Sequence, residues 1–414
     1  MLMPVPADDL QRYADVIVRV GLNLQPGQRL LIRAELQTAD LVRAVARSAY
    51  RAGARLVDVI WDDEQLTLVR VQAAPRETLG EVADWIPRLS ADYLRAGDAR
   101  LAIYAATPTL LAGEDPAAVS TLKQAEARAA QPFLDLVQRN ASVWAVVSYP
   151  TPGWAAQVLP EVPAEQRIGQ LWRAIATSCR LDAADPVAAW QAHIADLEAR
   201  SAYLNARAYA ALHFRAPGTD LRVGLAPGHR WAGGGSISER GQAFVPNLPT
   251  EEVFTLPHRA QVEGVVRSSR PLMYAGNLID DFTLSFERGL VVRATAARGE
   301  EVLRRLLASD EGAARLGEVA LAPNSSPVGQ TGLLFANTLY DENAASHLAL
   351  GSGYRFCLAG GTELSAEQFT AAGGNLSTIH EDFMIGSAAM DVDGITAAGA
   401  AEALMRSGEW AFRV

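Results

Sequence analysis

Residues 28–61 read QRLLIRAELQTADLVRAVARSAYRAGARLVDVIW, and this stretch decides the fold. The opening QRLLIRA is a short apolar strand. The next segment, TADLVRAVARSAYRAGA, sets Leu41, Val45 and Ala49 on one helical face, with Thr38 at the N-cap and Gly53 at the C-terminal stop. The closing RLVDVIW, residues 55–61, is a second strand. Strand, helix and strand in this spacing predict a parallel pair joined by a helical crossover.

The same alternation continues. ARLAIYAAT (residues 99–107) and SVWAVVSY (residues 142–149) are further strands with helical patterns between them. The first half is therefore α/β: a mostly parallel sheet with helices on both faces. No GxGxxG follows the first strand, so a dinucleotide-binding reading has no support. Two more helices are expected in AEQRIGQLWRAIATSC and PVAAWQAHIADLEARSAYLNA. After residue 205 the texture changes to short β segments separated by Gly, Pro and Asn turns. This predicts a second, mixed α+β domain. The expected domains are 1–200 and 201–414.

A chain of 414 residues is too long for one ordinary core. Hydrophobic content of 49% with 20% charged residues describes a globular protein. The formal charge of −10 argues against a nucleic-acid partner. The two cysteines, Cys179 and Cys357, are far apart and predict buried thiols in a reducing compartment. No apolar run is long enough for a membrane helix, and the N-terminus has no basic n-region, so a cytoplasmic protein is expected. The sole lysine is Lys123, on a predicted helix surface. Schiff-base, P-loop and Ser-Lys chemistries would all need it and are set aside.

The candidate chemistry lies in the second half. In NLSTIHEDFMIGS, residues 375–387, His380 and Asp382 are two apart. In a strand they share a face, so both reach one metal while Glu381 points away. His347 lies in DENAASHLALGSGY, followed by Tyr354. Glu318 lies in LGEVALAP, and Glu252 in NLPTEEVFTLP. Asp391 and Asp393 in MDVDGI also alternate, but Asp393–Gly394 reads as a hairpin turn. His193 and His213 read as structural or surface residues, and His229 and His258 as loop residues. Each acid alone is explained by an exposed strand end. Together they supply two histidines, at least three carboxylates and a tyrosine. That is about the set needed by two ions roughly 3.5–4 Å apart. No GxSxG, HExxH or CxxC offers an alternative.

These blocks, in this order, resemble the M29 family of thermophilic-type metalloaminopeptidases, the aminopeptidase T and aminopeptidase S group. The N-terminal YADVIVRVGLNLQPGQRLLIRA and GARLVDVIWDD are similar too, so the resemblance spans the chain. It implies a cytoplasmic homodimer that acts on peptides with a free N-terminus, using two divalent ions, zinc or cobalt, with manganese also accepted by such ligands. It implies the metal ligands Glu252, Glu318, His347, Tyr354, His380 and Asp382, with Glu318 as the bridge. Glu251 or Glu318 is the candidate general base, and Tyr354 a candidate oxyanion donor. Glu381 stands where the family often carries an apolar residue. Two rivals are a metal-dependent hydrolase of another bond, such as a phosphodiester, and an inactive metal-binding protein.

Overall fold

Leu30, Leu31 and Ile32 are all fully buried. Consecutive strand residues point to opposite faces, so both faces of this strand are covered. A computed structural model describes residues 5–274 and 276–414. In it the strands Arg29–Glu35, Leu56–Asp62, Ala99–Tyr104 and Trp144–Ser148 form one four-stranded sheet. All three pairings are parallel, and Arg29–Glu35 and Ala99–Tyr104 are the inner strands. The crossover helix is Ala39–Arg51, burying Leu41, Val42, Val45 and Ala49. Thr38 occupies its N-cap, but the hydroxyl donates to Glu35 O (2.8 Å) instead of capping. Gly53 has φ +93°, and a Cβ there would also lie 3.0 Å from Pro26 Cβ. Lys123 lies on the helix Pro116–Gln138, exposed and paired with Glu126 at 3.0 Å.

The chain divides into two compact units, Met1–Ala192 with Gly235–Pro249, and His193–Gly234 with Thr250–Val414. The first crossing falls inside the helix Pro186–Arg207, the same helix that holds residue 200. The returning segment Gly235–Pro249 joins the parallel sheet's edge. Val146 N donates to Pro246 O (2.7 Å), and Leu248 N donates to Val146 O (3.1 Å). A single boundary read from composition does not anticipate this return.

The second unit is built on antiparallel β structure. One sheet runs in space from Leu272–Tyr274 through Asn277–Glu287, Pro257–Arg267, Thr219–Leu225, Ala211–Ala216, Asp391–Ile395 and Ala401–Arg406 to Glu409–Trp410, with Leu290–Arg298 also beside Asn277–Glu287. A five-stranded sheet runs His380–Met384, His347–Gly351, Leu316–Leu321, Val253–Thr255, Ala232–Gly233. One core joins them, with Phe214, Leu221 and Phe282 from the first sheet and Val319, Leu348 and Phe383 from the second. The Phe282 and Phe383 rings lie 5.5 Å apart.

Two sequence expectations fail here. Asp393–Gly394 is not a turn but the middle of the strand Asp391–Ile395. The turn follows it, where Thr396 N donates to Ala400 O (2.9 Å). Asp393 is instead bound by Arg215 and Arg406, each at 2.5 Å. Gly394 is needed because a Cβ would come 2.7 Å from the Tyr209 ring. His258 is not in a loop but in the strand Pro257–Arg267. Among the described residues, no helix is long and apolar enough to cross a membrane.

Candidate metal centre

Glu318 lies in the strand Leu316–Leu321, which is buried along its whole length. It stands opposite Ala349, and Ala349 stands opposite Asp382. His347 pairs with Ala320 and Met384, and His380 with Gly351. Directly paired residues share a face, as do residues two apart. Glu318, His347, His380 and Asp382 therefore rise from one face of the sheet. The same face carries the small residues Ala320, Ala349 and Gly351 among them. A bulge between Leu316 and Glu318 re-aims this strand end. Glu252 immediately precedes the strand Val253–Thr255, which pairs with Leu316–Leu321. Glu381 takes the opposite face; burial, then Asp382, pushes its carboxyl up to about 8.

Two groups of ligand atoms result, Glu252–Glu318–His347 and Glu318–His380–Asp382, each with its atoms within 4.8 Å of one another. Glu318 belongs to both. His347 Nε2 lies 3.0 Å from Glu252 Oε2 and 3.4 Å from Glu318 Oε1. His380 Nε2 lies 3.7 Å from Glu318 Oε2 and 3.5 Å from Asp382 Oδ1. Each imidazole uses its other nitrogen on a backbone carbonyl: His347 Nδ1 on Ala345 O (3.2 Å) and His380 Nδ1 on Ser352 O (2.7 Å). This second contact fixes the ring and turns Nε2 toward the carboxylates.

The charge balance calls for cations. Glu252 Oε2 and Asp382 Oδ1 are buried and accept no well-aligned hydrogen bond. Burial, with Glu252 and Asp382 adding to it, pushes the Glu318 carboxyl up to about 7 against the pull of His347 and His380. Burial alone would lower the His380 imidazole, but Asp382 and Glu318 outweigh it and raise it to about 10. Buried carboxylates left without compensation are costly. Two imidazoles and several carboxylates are a donor set that divalent zinc, cobalt or manganese accepts. The residues present fit the ions that the resemblance implies.

Tyr354 comes beside this group. Its ring centroid lies 4.8 Å from that of His380 and 5.2 Å from that of Phe356. The residue is 39% exposed. Its phenol nevertheless feels burial and then the charges of Glu318 and Asp382, which push ionisation well up. Glu251 is 2% exposed and belongs to neither ligand group. Its Oε2 lies 3.5 Å from His193 Nε2. His193, read from sequence as structural or surface, is thus part of the site's surroundings.

Sequence reasoning missed Glu342. Burial, then Asp382 and Glu252, raises its carboxyl well above the usual range, so it lies in the field of the same cluster. Nothing in DENAASH separates it from Asp341. The structure does, because Asp341 accepts from Phe335 N (2.8 Å) and Asn337 N (3.0 Å) and serves the loop instead.

The family model for thermophilic metalloprotease (M29) matches residues 7–410. Aminopeptidase T of Thermus thermophilus is 48% identical over 97% of this chain and 98% of its own. Aminopeptidase 2 of Geobacillus stearothermophilus is 44% identical over 98% of both chains. The solved structure titled wild-type AmpT from Thermus thermophilus superposes with a TM-score of 0.93 at 47% identity, covering 98% of this chain and 99% of that one. A shared overall fold and matches over nearly the full length lead to one conclusion: this chain belongs to the M29 family of thermophilic metalloproteases.

Proposed function

We propose that this chain is an aminopeptidase that releases N-terminal residues from peptides with a free α-amine, using two divalent ions. The ligands in this reading are Glu252, Glu318, His347, Tyr354, His380 and Asp382, with Glu342 added. The observation that carries it is the pair of histidine–carboxylate groups sharing Glu318. The relatives named aminopeptidase support the substrate class.

Bound ions would supply Lewis acidity, making water acidic enough to ionise near neutral pH and polarising the scissile carbonyl. The chain's own residues do the rest. In this reading Glu318 would be shared between the two ions, since Oε1 faces His347 and Oε2 faces His380. Glu251 is then the better general base, since it stands outside both ligand groups and His193 orients it. Tyr354 serves in one of two ways, as a ligand through its phenolate or, while protonated, as a donor to the developing oxyanion. Zinc, cobalt and manganese all suit the donor set. The reading carries with it a homodimer in the cytoplasm; mass determination in solution checks the dimer.

The test is release of free amino acid from unblocked and N-acetylated dipeptides, using chelator-stripped protein with zinc, cobalt or manganese added back. A phosphodiester belongs in the same panel. Ion-dependent cleavage of unblocked peptides alone is expected. Equal cleavage of acetylated peptides, or cleavage of the phosphodiester alone, would overturn the reading.

A further inference from the structure

Glu252 is the only member of its ligand group that stands outside a β-ladder. Glu318 and His347 are held by strand pairing, and the Glu318–His380–Asp382 group lies entirely on paired strands. Pairing of the short strand after Glu252 begins only at Val253. Something else must fix residues 250–252.

Two side chains do so. Glu251 N donates to Asn343 Oδ1 at 2.7 Å. His193 Nε2 lies 2.8 Å from Thr250 O and 3.5 Å from Glu251 Oε2. Asn343 is 0% exposed, and its Nδ2 donates to Leu339 O (2.9 Å) and Glu342 Oε1 (3.3 Å). A donor on one side and a carbonyl on the other settle which way this amide points. Its own carbonyl accepts from Ser326 Oγ at 3.0 Å. One buried amide thus ties the segment leading to Glu252 to the Glu342–Ala344 turn, which in turn leads to His347.

We propose that Asn343, assisted by His193, is a positioning residue that sets the Glu252–Glu318–His347 half of the centre, with Glu342 held by the same amide, and leaves His380 and Asp382 untouched. The proposal rests on the two-ion reading above. Truncating Asn343 strands the Glu251 amide without its acceptor inside the protein and frees Glu252 to swing. Supporting contacts of this kind typically change ion affinity by about 10–100-fold.

The experiment uses the whole chain, stripped with chelator and titrated with zinc by calorimetry, with bound zinc counted by elemental analysis. Wild type, Asn343→Ala, His193→Ala and His193→Gln are compared, with thermal midpoints taken alongside. Wild type takes two ions. Asn343→Ala keeps one near wild-type affinity and binds the other at least about tenfold more weakly. His193→Ala moves the same way, and His193→Gln, which keeps a donor for Thr250 O, stays near wild type. Should Asn343→Ala not fold, the two His193 variants decide. Two ions bound at wild-type affinity in the truncated variants would overturn the proposal, and so would equal weakening of both sites. A wild type that takes one ion sinks the two-ion reading instead.

Discussion

His380 and Asp382 are two residues apart, and their shared sheet face was readable from that spacing. In the two-ion reading, replacing either with Ala removes a ligand atom outright. Loss of ion binding and of peptide cleavage should exceed the ~100-fold that outer contacts typically cost; calorimetry and an amino-acid release assay check it. Asp310 makes a different prediction. Partial burial opposes ionisation, but hydrogen bonds from Thr378, Ser377 and Gly312 outweigh it and hold the carboxyl down to about 2. A depressed carboxyl contributes stability that is fully present above its ordinary value of 3.8 and is lost as pH falls through about 2. Asp310→Asn should therefore cost about 1 kcal/mol at pH 7, scaled down for solvent exposure, with the gap to wild type closing on acidification. Urea titrations across that pH range measure it. What the sequence did not reveal at this scale was choice between neighbours. Asp341 and Glu342 look alike until the loop claims one of them.

At the scale of elements, the strands and helices of the first half were legible because each apolar run has one period and ends at a Gly, Pro or cap residue. The second half was harder. MDVDGI carries an Asp-Gly pair that usually marks a turn, yet Gly394 is there for the Tyr209 ring and the strand runs through. Local sequence cannot report a contact made 185 residues away. Gly317 offers a test of how tightly the site strand is held. A Cβ there would lie 2.4 Å from Ser352 O and 2.5 Å from Gly351 O, both backbone atoms that cannot step aside. Gly317→Ala should cost about 1–3 kcal/mol by overpacking. Because Glu318 is the next residue, it should weaken ion binding as well. A thermal melt of stripped protein separates the two effects from each other.

At the scale of the whole molecule, composition suggested two domains but not that the chain returns to the first. A fragment ending at residue 200 would lack Gly235–Pro249, which bonds to Val146 at the parallel sheet's edge. That fragment should be less soluble than one in which the segment is linked back on, since an uncovered strand edge invites pairing with other chains; light scattering of the two checks it. Chelation should act globally too. An ion present at ~1,000 times its Kd stabilises the folded state by about 4 kcal/mol, so stripping should lower the melting midpoint by on the order of 10 °C. An unchanged midpoint would mean the buried acids find their compensation elsewhere. Lys123 adds a practical consequence. With one lysine in 414 residues, and that one exposed on the Pro116–Gln138 helix, an amine-reactive fluorophore has a single side-chain address per chain. A dye placed there reports from the first unit at fixed stoichiometry, and a lysine-specific endoprotease splits the unfolded chain into just two pieces.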